Sequence, residues 1–127
     1  MSTNPLSEAL RLQLEAAELE FDWRHLDELW DKLAEEVGEL KEAAGQGRDR
    51  SEDELGDLLF MAVNLARHLG VDAERALART NAKFERRFGH VLKHLAELPP
   101  PGDPRRLDEM EKYWQEAKRL ERSAEVQ

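Results

Sequence analysis

The sequence contains no cysteine, which excludes a disulfide framework and every thiolate metal site. Glycine and proline number only 7 and 5 in 127 residues and gather at a few places. Because β-branched residues are scarce as well, strands have almost no support. No apolar run approaches the ~20 residues needed to cross a bilayer, so no membrane partner is expected. The first residues, Met1-Ser2-Thr3-Asn4-Pro5, show neither the charged start nor the apolar stretch of a secretory signal, and the expected address is the cytoplasm. Basic residues are outnumbered, 19 Lys and Arg against 28 Asp and Glu, for a net charge of −9. With no basic tract set apart from acidic neighbours, the counterion-release drive toward nucleic acid is missing, and no nucleic-acid partner is expected. Repeats at solenoid periods are absent.

What is present is helix-forming. Leu, Ala, Glu, Lys and Arg dominate, and a hydrophobic content of 40% suffices for the core of one domain spanning residues 1–127. The fold class is all-α, a helical bundle of four main helices plus a C-terminal helix. An amphipathic helix over about 7–20 carries Leu10, Leu14 and Ala17. Asp22 is placed to N-cap a second helix over about 22–44, with the stripe Leu26, Leu29, Trp30, Leu33, Val37, Leu40 and Ala44 before a stop at Gly45 and Gly47. A third helix is expected from Ser51, with Glu54 in capping-box spacing, to Gly70. Being apolar almost all round, it reads as the most buried. Asp72 caps a fourth, whose stripe is Leu77, Phe84, Phe88, Val91 and Leu95. The prolines of residues 99–106 make a stiff connector, and Leu107, Met110, Trp114 and Ala117 mark a last helix over 107–122, after which the tail is expected to fray.

Acidic residues interrupt two of these stripes. On the second helix E-E-V-G-E supplies Glu35, Glu36 and Glu39, of which Glu36 shares the face of Leu29, Leu33 and Leu40. On the third, E-L-G-D supplies Glu54 and Asp57, in a polar seam with Asn64 and His68 that is expected to face the acids of the second helix. Acids three residues apart lie about 60° apart around a helix and repel each other. A solvated charged face, with Glu54 only completing a cap, explains any one of them. For Glu36, Glu39, Glu54 and Asp57 together, the burial cost of uncompensated charge favours a shared cation. Oxygen-only ligands select Mg2+, with Mn2+ as the alternative, over zinc. Asn81 falls on the stripe of Leu77, Phe84 and Phe88, where an amide needs partners; it orders the acids, reads substrate or pins the register.

K-L-A-E-E-V-G-E-L, E-L-G-D-L-L-F, N-L-A-R-H-L-G and N-A-K-F-E-R-R-F resemble the MazG family of all-α nucleoside triphosphate pyrophosphohydrolases over about 22–95, within a domain core of 22–98. The segment L-D-E-M-E-K-Y-W-Q-E-A-K resembles the family's C-terminal part. The resemblance implies a single-module bundle that forms a homodimer, with a tetramer compatible. It also implies Mg2+-dependent cleavage of NTPs or dNTPs between the α and β phosphorus, giving nucleoside monophosphate and pyrophosphate. It carries phosphate binding onto Lys32, Lys83 and Arg87 and places Trp114 and Lys118 near the nucleotide. Glu36, Glu39, Glu54 and Asp57 then hold the metal, and Glu35 takes the proton of the attacking water. Each of these cations and the Trp also has an ordinary reading, as solvated helix charge or a core ring. Two rival functions stand beside this one: a narrower pyrophosphohydrolase acting on dUTP or phosphoribosyl-ATP, and a non-enzymatic helical interaction module anchored by Trp30 and Trp114.

Overall fold

A computed structural model describes residues 4–126. It contains five α-helices and, among the described residues, no strand: α1 Pro5–Glu18, α2 Leu26–Ala43, α3 Arg48–His68, α4 Ala73–Leu92 and α5 Arg105–Val126, with a 3-10 turn at Leu95–Glu97. The all-α class expected from composition is therefore correct. Residues 1–3, part of the stretch read for a targeting signal, and residue 127 lie outside the described chain. No described helix is long and apolar enough to cross a membrane. The chain divides into two compact units, Met1–Leu77 and Ala78–Gln127.

In the first unit, α1 starts where Asn4 Oδ1 accepts the Ser7 amide at 2.9 Å and Pro5 opens the first turn. The hairpin of α2 and α3 forms the centre. Leu29, near the start of α2, packs with Met61 and Leu65, near the end of α3, flanked by Trp23, Leu26 and Leu33. At the other end of the hairpin the Ser51 hydroxyl donates to the carbonyl oxygens of Ala43 and Gly47 at 3.2 and 3.1 Å. These contacts make the two helices antiparallel, which brings the middle of α2 opposite the first half of α3.

Three local expectations are corrected. Asp22 does not cap α2: the helix begins four residues later, and the Glu28 carboxylate accepts the amides of Arg24 and His25 instead, both at 3.0 Å. The third helix begins at Arg48 rather than Ser51, because Gly47 at φ +110° turns the chain early and leaves Ser51 and Glu54 inside the helix. Nor is α3 buried all round. Met61, Val63, Asn64 and Leu65 are buried, whereas Leu55, Leu59 and Phe60 are exposed. Some exposed apolar groups have a local reason: Leu12, Phe21 and Phe60 wall a cleft of about 490 Å3 together with Trp23 and Met61.

The conformation of Gly47, φ +110° and ψ 165°, is one that a residue with a Cβ adopts only under strain. No atom stands within 4 Å of where that Cβ would be. Gly47→Ala is therefore expected to cost about 1–2 kcal/mol through backbone strain alone, measurable as a lower urea midpoint with an unchanged m-value.

In the second unit Val91 and Ala117 are buried. Phe84 stacks on Phe88 with centroids 5.6 Å apart and meets Trp114 at 5.2 Å. Of the stripe expected on α4, Val91 is buried, but Leu77, Phe84 and Leu95 are exposed, and so is Asn81. The burial argument for Asn81 is thereby removed. The prolines do interrupt the helices, but α5 starts at Arg105 and continues to Val126, past the expected end at 122. Asp103 holds its start by accepting the Arg105 amide at 2.9 Å.

Candidate active site

The antiparallel hairpin gathers the interrupting acids. Ligand oxygens of Glu36 on α2 and of Glu54 and Asp57 on α3 all lie within 4.8 Å of one another. Glu36 is buried, Glu54 half-buried and Asp57 exposed, so the group has a closed floor and an open mouth. The i, i+3 spacing of Glu54 and Asp57 sets both carboxylates on one side of α3. Glu36 reaches them because it occupies the inward stripe of α2.

Glu39, one turn on from Glu36, is half-buried. Its pKa is raised, first by burial and then by the negative charges of Glu54 and Glu35 close by. Glu35 is exposed and pairs with Lys32 at 3.3 Å. Lys32 also reaches Glu36 Oε1 at 3.3 Å, and its pKa is raised, chiefly by Glu36 and then by Glu35. Arg50 Nη2 stands 3.9 Å from Glu54 Oε1. These cations approach one oxygen of each carboxylate. The other oxygens, Glu36 Oε2 and Glu54 Oε2, are buried without a hydrogen-bond partner.

Two unpartnered carboxylate oxygens cost several kcal/mol when left alone in a protein interior. Together with Asp57 they form an all-oxygen donor set with an open side, and this fits a hard divalent cation that keeps water on its exposed face. The acidic cluster is thus able to bind a metal ion.

The polar seam of α3 does not face α2 along its whole length. Glu54 and Asp57 do so, whereas Asn64 and His68 join a separate network that the sequence did not suggest. Arg67 donates from Nη2 to Asp22 Oδ1 at 2.8 Å and from Nη1 to Asp22 Oδ2 at 3.1 Å. It also donates from Nε to Gln13 Oε1 at 3.0 Å and from Nη2 to Asn64 Oδ1 at 2.9 Å. Gln13 is buried and donates to the Phe60 carbonyl at 3.0 Å. His68 Nε2 lies 3.3 Å from Asp22 Oδ1. The Arg67 guanidinium holds the Asp22 carboxyl well below the usual carboxylate range. The one signal available beforehand was Gln13 itself, a polar residue about 60° from Leu10 and about 40° from Ala17 around α1, on the apolar face.

The remaining residues singled out from sequence belong to the second unit. Arg87 donates from Nε and Nη2 to Glu121 Oε2, at 3.1 and 3.0 Å, and lowers the Glu121 pKa. Its guanidinium carbon lies 5.8 Å from the ring centre of Trp114, within cation–π range. Trp114 is thus also a packing ring, in contact with Phe84. Lys83 and Asn81 are exposed, and Lys118 is half-buried.

Comparison with known proteins identifies the family. Residues 24–92 match the MazG nucleotide pyrophosphohydrolase domain. The chain is 43% identical over 119 residues to the nucleoside triphosphate pyrophosphohydrolase of Escherichia coli K12, an alignment covering 91% of this chain and 45% of that protein. It is 38% identical over 120 residues to the nucleoside triphosphate pyrophosphohydrolase/pyrophosphatase MazG of Thermotoga maritima, covering 89% of this chain and 44% of that protein. The chain thus spans a little under half the length of these relatives. The clustered acids Glu36, Glu54 and Asp57, and their neighbours Glu35 and Glu39, fall inside the matched domain, and the chain belongs to the MazG nucleotide pyrophosphohydrolase family.

Proposed function

We propose that this chain is a Mg2+-dependent nucleoside triphosphate pyrophosphohydrolase, acting as one module over residues 1–127 and releasing nucleoside monophosphate and pyrophosphate. The observation that carries the reading is the pair of buried, unpartnered oxygens of Glu36 and Glu54 beside Asp57. Relatives bearing that activity in their names add support over nine-tenths of the chain.

Glu36, Glu54 and Asp57, with Glu39 at the edge, would hold the metal; Mn2+ would fit the same oxygens. When bound, such an ion supplies Lewis acidity to phosphate oxygens and acidifies a coordinated water. The chain's own groups do the rest. Glu35 pairs with Lys32 through Oε1, leaving Oε2 to receive the proton of the attacking water. Lys32, held between Glu35 and Glu36, offers Nζ to the triphosphate and stabilises charge on the departing pyrophosphate. Buried Glu36 keeps bulk water from the floor of the site, where each charge then acts in a lower dielectric. Roles for Lys83, Arg87, Trp114 and Lys118 in contacting substrate rest on family resemblance alone, and one for Asn81 on its place in the stripe of α4.

A homodimer is part of the same reading. Leu55, Leu59 and Phe60 expose apolar surface on α3, of the kind that a second copy of a small helical chain covers. A net charge of −9 supports a protein without a nucleic-acid partner, and a cytoplasmic address accords with the lack of cysteine.

The test is pyrophosphate release from a panel of NTPs and dNTPs, together with dUTP and phosphoribosyl-ATP, with and without Mg2+. Turnover of several bases is expected. Turnover of a single compound would replace the proposal by the narrower enzyme. With Mg2+ and a non-hydrolysable triphosphate at about a hundredfold over Kd, stability is expected to rise by about 2.7 kcal/mol. Absence of both turnover and stabilisation would leave the interaction module.

A further inference from the structure

The second unit carries a group of side chains of different chemistry from the acidic site. His90 lies in the last turn of α4, His94 in the turn just beyond its end and before the 3-10 segment, and Glu116 comes from α5. A ligand atom from each lies within 4.8 Å of the others, and all three residues are half-buried, so the group is accessible from solvent. His90 Nε2 is 3.1 Å from Glu116 Oε1. Ligands held about 2.0–2.1 Å from a tetrahedral ion lie about 3.3 Å from one another. The His90–Glu116 pair therefore already has the spacing of two ligands to one ion.

The geometry points to a second metal site, for a divalent transition ion of the zinc class, formed by His90, His94 and Glu116 and joining α4 to α5. The chain leaves α4 between the two imidazoles, whose ring centroids stand 5.3 Å apart, and two His with one Glu is a donor set that zinc accepts with water in the fourth position. Nitrogen donors distinguish this site from the all-oxygen cluster, since imidazole favours Zn2+, Co2+, Ni2+ and Cu2+ over Mg2+.

The surroundings orient the ligands. His94 Nδ1 lies 2.9 Å from Glu97 Oε2, and the Tyr113 hydroxyl donates to that same oxygen at 2.9 Å. With Nδ1–H donating to Glu97, His94 presents Nε2 as the lone-pair nitrogen, the arrangement by which outer carboxylates fix metal-binding histidines. Tyr113 further restrains the ring by stacking on it, with centroids 4.0 Å apart and planes 4° from parallel. Glu97 is thus a positioning residue.

The test titrates the untagged 127-residue chain with Co2+ in the presence of excess Mg2+ and reads the visible spectrum, because four-coordinate Co2+ absorbs strongly there and six-coordinate oxygen sites barely do. One equivalent of strongly absorbing Co2+ per chain is expected, displaced by Zn2+ and retained in Glu36→Gln. The bands are expected to vanish in the His90→Gln/His94→Gln double variant. In Glu97→Ala they should persist with affinity lower by about tenfold. Should loss of both imidazoles unfold the chain, Glu116→Gln provides the same reading on a half-exposed side chain. Absence of visible bands in the parent, or undiminished binding in a folded double-His or Glu116→Gln variant, overturns the site.

Discussion

Replacing Glu36 with Gln is expected to lower kcat for pyrophosphate release by at least about a hundredfold, while leaving the metal-free protein no less stable than its parent. The two effects have different origins. In the loaded enzyme the substitution removes a charged oxygen from the floor of the metal site, so charge compensation and positioning of the phosphates both suffer. In chelator the parent holds a buried carboxylate whose Oε2 has no partner, in a cluster with Glu54, whose Oε2 has none either. Gln is isosteric and neutral, and its amide can donate to Glu54. The lost pairing with the partly exposed Lys32 is a small offset. Relief of the buried charge is expected to raise stability in EDTA by about 1 kcal/mol. An ordinary structural acid behaves otherwise: its removal lowers stability with and without metal and leaves turnover of the folded fraction intact. Steady-state kinetics in Mg2+ and urea unfolding in EDTA separate the two. Turnover within about threefold of the parent would remove Glu36 from the metal site.

Arg67→Met is expected to destabilise the first unit by about 3 kcal/mol and to do so most strongly at neutral pH. The methionine keeps much of the apolar stem but strips donors from Asp22, Asn64 and Gln13 together. Arg67 and Asp22 retain 12% and 24% of side-chain exposure, so water partly heals the loss, and the figure sits at the low end for a broken internal ion pair. The pH dependence follows from the depressed carboxyl of Asp22. A carboxyl whose folded pKa lies below its unfolded value of about 3.9 contributes stability that is fully present above that value. This contribution is lost as the pH falls toward the folded pKa, because the unfolded chain takes up the proton first. The difference between parent and variant should therefore contract below about pH 4. A difference that stays constant down to pH 2 would show that the charge on Asp22 is not what Arg67 stabilises.

The acid cluster was legible because it breaks a pattern. Glu36 falls at an inward position between Leu33 and Leu40, and a carboxylate there needs an explanation that a solvated one does not. Glu54 and Asp57 were legible as a pair because helical spacing is a local property. Asp22 was misread because capping and tertiary pairing draw on the same residue type: its carboxylate accepts from Arg67, 45 positions away, rather than from the helix that follows. Leu55, Leu59 and Phe60 gave α3 the composition of a buried helix, but composition does not say what covers them. His90 and His94 drew no attention beforehand, since two histidines four residues apart carry little meaning until a carboxylate from another helix stands beside them.

Periodicity and charge pattern, which act within a few residues, were enough to settle the helical class, most helix positions and which acids interrupt the apolar stripes. The choice of partners fell to the tertiary structure. Only packing brought Glu36 against Glu54 and Asp57, gave Arg67 to Asp22 and Gln13, and set Glu116 beside two imidazoles. The reason is physical: side-chain direction along a helix follows from local geometry, whereas the cost of a buried charge, and hence its need for a partner or an ion, depends on what the rest of the chain places around it.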